Sequence, residues 1–224
     1  MRLKVLVTVL LFATTVAYGG VLDDFNRPNA PTLGPNWTAW AGDGEIYNNA
    51  AMALGGAQFP NLLTFNGVSA SMAYVDVYSV DTSLAYIALD LAFFDANNNY
   101  FIKVQNQGCG GGACFNDAAF YYGNNGGGYF FPLNAEFASG RITASFTGTV
   151  ATLLIDSNFD GIADQTYTYD YGVGTGGTGI GLGLYGTALA DNFGAGPITP
   201  EPGTMLLLGS GITTLAAALR RRMK

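Results

Sequence analysis

Histidine is absent from this 224-residue chain. No Ser-His-Asp or Cys-His arrangement for nucleophilic catalysis is therefore available. Cysteine occurs twice, at Cys109 and Cys114, which leaves a zinc site short of ligands. Cations are almost as scarce. Between Gly20 and Thr199 they are Arg27, Lys103 and Arg141 alone, against fifteen carboxylates, a balance of −12. Nucleic acid needs a basic footprint and is excluded as a partner. The balance also speaks against an acidic polysaccharide held by charge pairing, and it suits solubility outside a cell and binding of cations. Glutamate in the same interval is limited to Glu45 and Glu136, each isolated. Apolar runs of helix length are missing everywhere except at the two ends.

Those ends are membrane signals. Met1-Arg2-Leu3-Lys4 is a short basic segment, and Val5 to Val16 is apolar but too short to span a bilayer comfortably. Ala17-Tyr18-Gly19 supplies small residues for cleavage after Gly19 or Gly20, so residues 1–19 read as a signal peptide. An uncleaved N-terminal anchor is the alternative. At the other end Pro200, Glu201 and Pro202 precede an uncharged run from Gly203 to Leu219, followed by Arg220, Arg221, Arg222, Met223 and Lys224. A helix over 203–219 is roughly 25 Å long, slightly short of a bilayer core of about 30 Å. The terminal cations snorkel to the interface, stop transfer and hold that end in the cytoplasm.

This tail, residues 198–224, resembles a PEP-CTERM sorting signal: Pro-Glu-Pro, one span, then a basic terminus. The resemblance implies an exosortase as processing partner, cutting near Pro200–Pro202 and releasing or re-attaching the protein outside the inner membrane. It also implies a bacterium that makes exopolysaccharide, often in biofilms. The residues alone leave open a plain C-terminal anchor that is never cut.

The body, residues 20–197, is one domain's worth of chain. Its periodicity is two. Ile87, Leu89, Leu91 and Phe93 share one side of a strand. Tyr100, Ile102 and Val104 alternate with Phe101, Lys103 and Gln105, and Ile142, Ala144 and Phe146 with Arg141, Thr143, Ser145 and Thr147. Ser69 to Val80 and Thr149 to Ile155 also read as strands. Turn clusters lie at Asp95–Asn99, Asn124–Gly128 and Thr147-Gly148. The expectation is all-β: an antiparallel sandwich.

Val21-Leu22-Asp23-Asp24-Phe25-Asn26-Arg27 with Leu33-Gly34-Pro35-Asn36-Trp37-Thr38 resembles the opening of concanavalin A-like jelly rolls. Gly179 to Gly186 with Asp191-Asn192-Phe193 resembles their closing strands. The resemblance implies two large curved sheets, terminal strands side by side, and a concave face on which sugar-binding members hold their ligand. The laminarin-type enzymes of that family carry Glu, Asp and Glu close together on one strand. No strand here does, so hydrolysis by two flanking carboxylates is not expected.

Four stretches bear on chemistry. Gly174-Thr175-Gly176-Gly177-Thr178-Gly179 matches G-x-G-x-x-G, but a glycine-alternating strand follows instead of a helix, so it reads as a turn. Asp156, Asn158, Asp160 and Asp164 place oxygens at relative positions 1, 3, 5 and 9, with Gly161 at 6 and the Ile162 carbonyl at 7. That is the first part of a calcium loop, with Tyr167 in place of the usual bidentate Glu. Structural Ca2+ is a candidate cofactor, and a metal-free Asx turn is the other reading. Cys109 and Cys114 read as a local disulfide in an oxidising compartment, a metal pair or redox site being the alternatives. Tyr121, Tyr122 and Tyr129 are candidates for stacking on sugar, although aromatics equally fill sandwich cores. The expected function is non-catalytic: an exported protein that associates with extracellular polysaccharide. A purely structural matrix protein and an unusual glycosidase are the alternatives.

Overall fold

The computed structural model describes residues 20–57, 61–109, 112–123 and 128–196. The signal peptide at 1–19 and the tail bearing Pro200, Glu201, Pro202, Arg220, Arg221, Arg222 and Lys224 lie outside the described residues, as does most of the turn at 124–128. The strands, in chain order, are β1 (Val21–Asp23), β2 (Trp37–Ala41), β3 (Gly44–Tyr47), β4 (Ala50–Ala53), β5 (Asn61–Ser69), β6 (Met72–Tyr78), β7 (Ala85–Asp95) and β8 (Asn98–Asn106). They continue with β9 (Phe115–Tyr122), β10 (Gly128–Phe137), β11 (Ser139–Thr147), β12 (Val150–Asp156), β13 (Gln165–Asp170), β14 (Gly179–Tyr185) and β15 (Leu189–Ala195).

They form two antiparallel sheets packed as a sandwich. The larger has the order β13-β12-β11-β6-β15-β4-β3, with β1 also on β15; the smaller has the order β10-β9-β8-β7-β14-β5-β2. The first and last strands do lie side by side, Val21 opposite Gly194 and Asp23 opposite Phe193. The alternation read from β8 is real: Tyr100, Ile102 and Val104 join the core, so Phe101, Lys103 and Gln105 face away from it. The stretch 69–80 is not one strand. A turn at Ala70-Ser71 divides it into the end of β5 and the start of β6.

The opening and closing motifs meet in one aromatic cluster. The Trp37 ring lies 5.8 Å from Phe25, 5.2 Å from Phe65 and 5.0 Å from Phe193. Trp37 Nε1 donates to Asp23 Oδ2 at 2.8 Å, and Arg27 donates to both Asp23 oxygens at 2.6 and 3.0 Å. Burial works against the charge on Asp23. The bonds from Arg27, Trp37 and the Phe25 amide outweigh it and hold the carboxyl below the usual carboxylate range.

One expected core residue is elsewhere. Ala92 adopts φ 52°, and the β7–β8 register shifts between Leu91 and Asp95. This bulge turns Ala92 into the core and Phe93 out of the core cluster, against Trp40 with ring centroids 5.0 Å apart. The G-x-G-x-x-G stretch opens no helix and instead lies against the bulge. A Cβ on Gly177 would sit 2.2 Å from the Phe93 carbonyl oxygen, and Thr175 Oγ1 donates to the Ala92 carbonyl.

Candidate functional site

The face of the smaller sheet turned away from the core carries the best-formed site. Antiparallel register sets its rows. Phe101 lies opposite Asp90 on β7 and Tyr121 on β9, Lys103 opposite Ala88 and Ala119, and Gln105 opposite Tyr86 and Asp117. On the far side of β7, β14 contributes Gly181 and Gly183 in place of side chains. Phe101 leans into the space so left: a Cβ on Gly183 would lie 2.2 Å from Phe101 Cζ.

The result is a cavity of about 170 Å³ lined by Leu62, Tyr86, Asn99, Phe101, Lys103, Tyr121 and Gly123. Tyr86 stacks on Tyr185 at 5.0 Å and meets Phe101 edge-on at 5.8 Å. Tyr121 meets Phe130 edge-on at 5.7 Å. Trp40, half exposed, stands further along the same face and donates from Nε1 to Thr64 Oγ1 at 2.9 Å. Lys103 Nζ sits 4.4 Å from the centre of the Tyr86 ring, 5.0 Å from Tyr121 and 6.0 Å from Phe130. Burial lowers its pKa to about 8, which leaves it mainly cationic at neutral pH. Burial, then the neighbouring Tyr185 and Tyr121 hydroxyls, pushes the Tyr86 hydroxyl up. Asp90 is fully buried with no hydrogen-bond partner at either oxygen among the described residues, and burial alone raises its carboxyl well above the usual range.

Of the three tyrosines expected to stack on sugar, only Tyr121 is on this face. Strand alternation sends Tyr122 to the opposite side, where its ring lies 6.1 Å from Tyr100 and 6.2 Å from Tyr171. On β10 the same rule gives Phe130 to the cavity side and turns Tyr129 onto Tyr169, 5.1 Å away. Tyr122 and Tyr129 are thereby removed from the candidate site. Tyr86, Phe101, Lys103, Phe130 and Trp40 replace them. For Phe101 and Lys103 the signal in the sequence is the outward half of the alternation on β8, at positions that solvent usually claims.

The Asp156–Asp164 turn joins β12 to β13 and is closed by its own hydrogen bonds. Asp156 accepts from the amides of Gly161 (2.8 Å), Asp160 (3.2 Å) and Asn158 (3.4 Å). Asp160 accepts from the Ile162 amide (2.8 Å), and Asp164 from the Ser157 amide (2.8 Å) and hydroxyl (2.6 Å). The three carboxylates are thus each occupied locally instead of converging on one point. Among the described residues the group of potential ligands drawn within 4.8 Å is Cys109, Cys114 and Glu136. There the two sulfurs are joined in a disulfide, and Cys114 Sγ lies 3.6 Å from Glu136 Oε2. Glu45, the other glutamate, is on β3 of the larger sheet and accepts from the Gly55 amide at 2.9 Å. The two glutamates therefore belong to different sheets and do not flank a common bond.

Residues 199–222 match the PEP-CTERM protein-sorting motif. No curated protein sequence matches the chain. Among solved structures it is similar to the carbohydrate binding module CBM66 from Bacillus subtilis, with 14% identity and a TM-score of 0.52, covering 73% of this chain and 98% of that one. Peanut lectin (8% identity, TM-score 0.48, covering 74% and 94%) and a Bacillus licheniformis beta-glucanase (10%, 0.45, 78% and 96%) are also similar. The fold is the antiparallel jelly-roll sandwich, as in that binding module. The chain joins such a sandwich to the sorting motif of exported proteins whose C-terminal membrane anchor is processed by exosortase.

Proposed function

We propose that this is a non-catalytic, exported protein that associates with extracellular polysaccharide through the outer face of the smaller sheet. The observation that supports it is the aromatic cavity itself: Tyr86, Phe101 and Tyr121 around about 170 Å³, with Trp40 half exposed beside it. Rings held edge-on and stacked give a sugar ring flat apolar surface, while Asn99 and Lys103 supply polar groups in the wall. No carboxylate is among the described residues lining the cavity, which weighs against hydrolysis there. Processing by exosortase at Pro200–Pro202 after passage through the inner membrane leads to a cell-surface or extracellular destination.

The test is titration of soluble exopolysaccharide and a panel of neutral oligosaccharides into the protein and its Trp40→Ala and Tyr121→Ala variants. Binding weakened at least tenfold by either substitution supports the reading. Wild-type protein that is folded and binds nothing on the panel would make it a purely structural matrix component.

Calcium in the Asp156–Asp164 turn is a separate, structural part of the proposal. An ion there would draw Asp164 off Ser157 to join Asp156, Asn158, Asp160 and the Ile162 carbonyl. A melting temperature that rises in millimolar calcium, and does not rise in Asp160→Ala, supports it. An unchanged wild-type melting temperature means that the hydrogen bonds already present complete the turn.

A further inference from the structure

We propose that the cavity takes a sugar ring bearing a single anionic group, of the uronic acid kind, and that Lys103 Nζ reads the charge. This rests on the saccharide-binding reading above and names the class of saccharide.

Two of the body's three cations are committed to carboxylates. Arg27 is committed to Asp23 by two bonds of 2.6 and 3.0 Å. Arg141 is committed to Asp76 by two bonds of 2.6 and 3.0 Å. Lys103 forms no hydrogen bond or ion pair with a described residue, although it is only 9% exposed. An ammonium taken out of water is costly unless paired. The ring contacts with Tyr86, Tyr121 and Phe130 offset part of that cost and supply no acceptor. Asp117, the carboxylate that acts on Lys103, does so only at a distance.

Two further unpartnered groups stand on the same side of β8. Asn99 Oδ1 and Gln105 Nε2 are buried with no hydrogen-bond partner among the described residues. Alternate positions on a strand are about 6.6–6.8 Å apart. The strand therefore presents an acceptor at Asn99, a cation at Lys103 and a donor at Gln105 in line, with the Phe101 ring between the first two. A buried polar group without a protein partner is completed by water or by a ligand. A neutral sugar in the cavity would serve Asn99 and leave the ammonium unmatched, Gln105 standing beyond the lining. A densely charged polyanion would meet a body carrying −12. One anion per bound ring satisfies both conditions.

The experiment uses the full chain in micelles of an uncharged detergent without a sugar headgroup. Three tetrasaccharides of one backbone are titrated: neutral, with one ring oxidised to the uronate, and with one ring carrying a sulfate ester. The expected result is binding of the uronate at least tenfold tighter than the neutral sugar, with the preference lost in Lys103→Met, which keeps the side-chain stem among the rings. Sulfate equal to uronate supports the inference and widens it to any singly charged ring; uronate alone narrows it to carboxylates. Equal affinity for neutral and charged sugars in the wild type, or a preference that survives Lys103→Met, overturns the inference while leaving saccharide binding intact. Binding of none of the three overturns the saccharide reading and this inference with it. The wild-type comparison decides the matter even if Lys103→Met fails to fold.

Discussion

Asp90→Asn should make this protein more stable, and increasingly so as the pH rises. Asp90 lies on β7 opposite Phe101 and Gly181, with no exposure and no partner at either oxygen. Burial raises its pKa in the fold, while the unfolded chain keeps an ordinary carboxylate value of about 3.9. Between those two values the folded state holds a proton that the unfolded state has released. The contribution to stability is therefore full below the unfolded value and is lost as pH rises toward the folded one, at about 1.4 kcal/mol per pH unit. Asparagine matches the neutral acid in shape and never ionises. The two proteins should be of similar stability near pH 4. Above pH 5 the variant should gain on wild type steadily, by about 1.4 kcal/mol for each pH unit over which the fold keeps the carboxyl protonated. Each such unit corresponds to a relative melting shift of roughly 3–6 °C. The assay is scanning calorimetry of both proteins across pH 4–8; taking the difference cancels the titration of every other carboxylate. A difference that stays flat over this range would refute the argument, because it would mean that Asp90 is hydrated or paired and ionises normally.

Three smaller perturbations test other parts of the structure. Gly183→Ala puts a methyl into Phe101 and should cost about 1–3 kcal/mol by overpacking, with saccharide affinity falling alongside the melting temperature. Asp23→Asn breaks the Arg27 and Trp37 bonds and should cost about 2 kcal/mol at pH 7, after allowing for the partly exposed arginine. Because the Asp23 pKa is lowered in the fold, that contribution is present above the unfolded value and is lost as pH falls through the folded one. The gap between variant and wild type should accordingly close in acid, as read by melting at pH 7 and about pH 3. Replacing Cys109 and Cys114 by serine should cost roughly 2 kcal/mol, the closure term for so short a loop, measured by denaturant unfolding with and without reductant.

Alternation made most strands legible, because each half-buried strand writes its two faces into consecutive residues. The meeting of β1 with β15 was legible through the Asp23–Arg27, Trp37 and Phe193 motifs, whose residues converge on one cluster. The site was less so. Tyr121 and Tyr122 are neighbours in sequence and both are candidates for stacking, yet a strand sends neighbours to opposite faces. The cage around Lys103 needs Tyr86 from β7 and Phe130 from β10, and cross-strand register depends on details that composition does not carry. The Ala92 bulge is the clearest case. Alanine with φ 52° has no sequence signature, and its position followed only from what packs against it.

That bulge explains why the face carries both an unpaired cation and an unpaired acid. At the hairpin turn Asp95 faces Asn98. Continued without interruption, that register would set Asp90 directly opposite Lys103, the two on one face and within reach of an ion pair. The bulge adds two residues to β7, so Asp90 faces Phe101 and Lys103 faces Ala88. Gly177 and Thr175 pack on the bulge at Phe93 and Ala92, which gives the glycine-rich turn a physical task in place of phosphate binding. Gly177→Ala should then do more than destabilise. Its Cβ would force the Phe93 carbonyl aside, at about 1–3 kcal/mol, and loosen the register that keeps Lys103 from Asp90. The preference for an anionic over a neutral saccharide should shrink together with the melting temperature. If stability falls and the preference stays at its wild-type value, the bulge does not set the spacing, and Lys103 is kept from Asp90 by its aromatic cage alone.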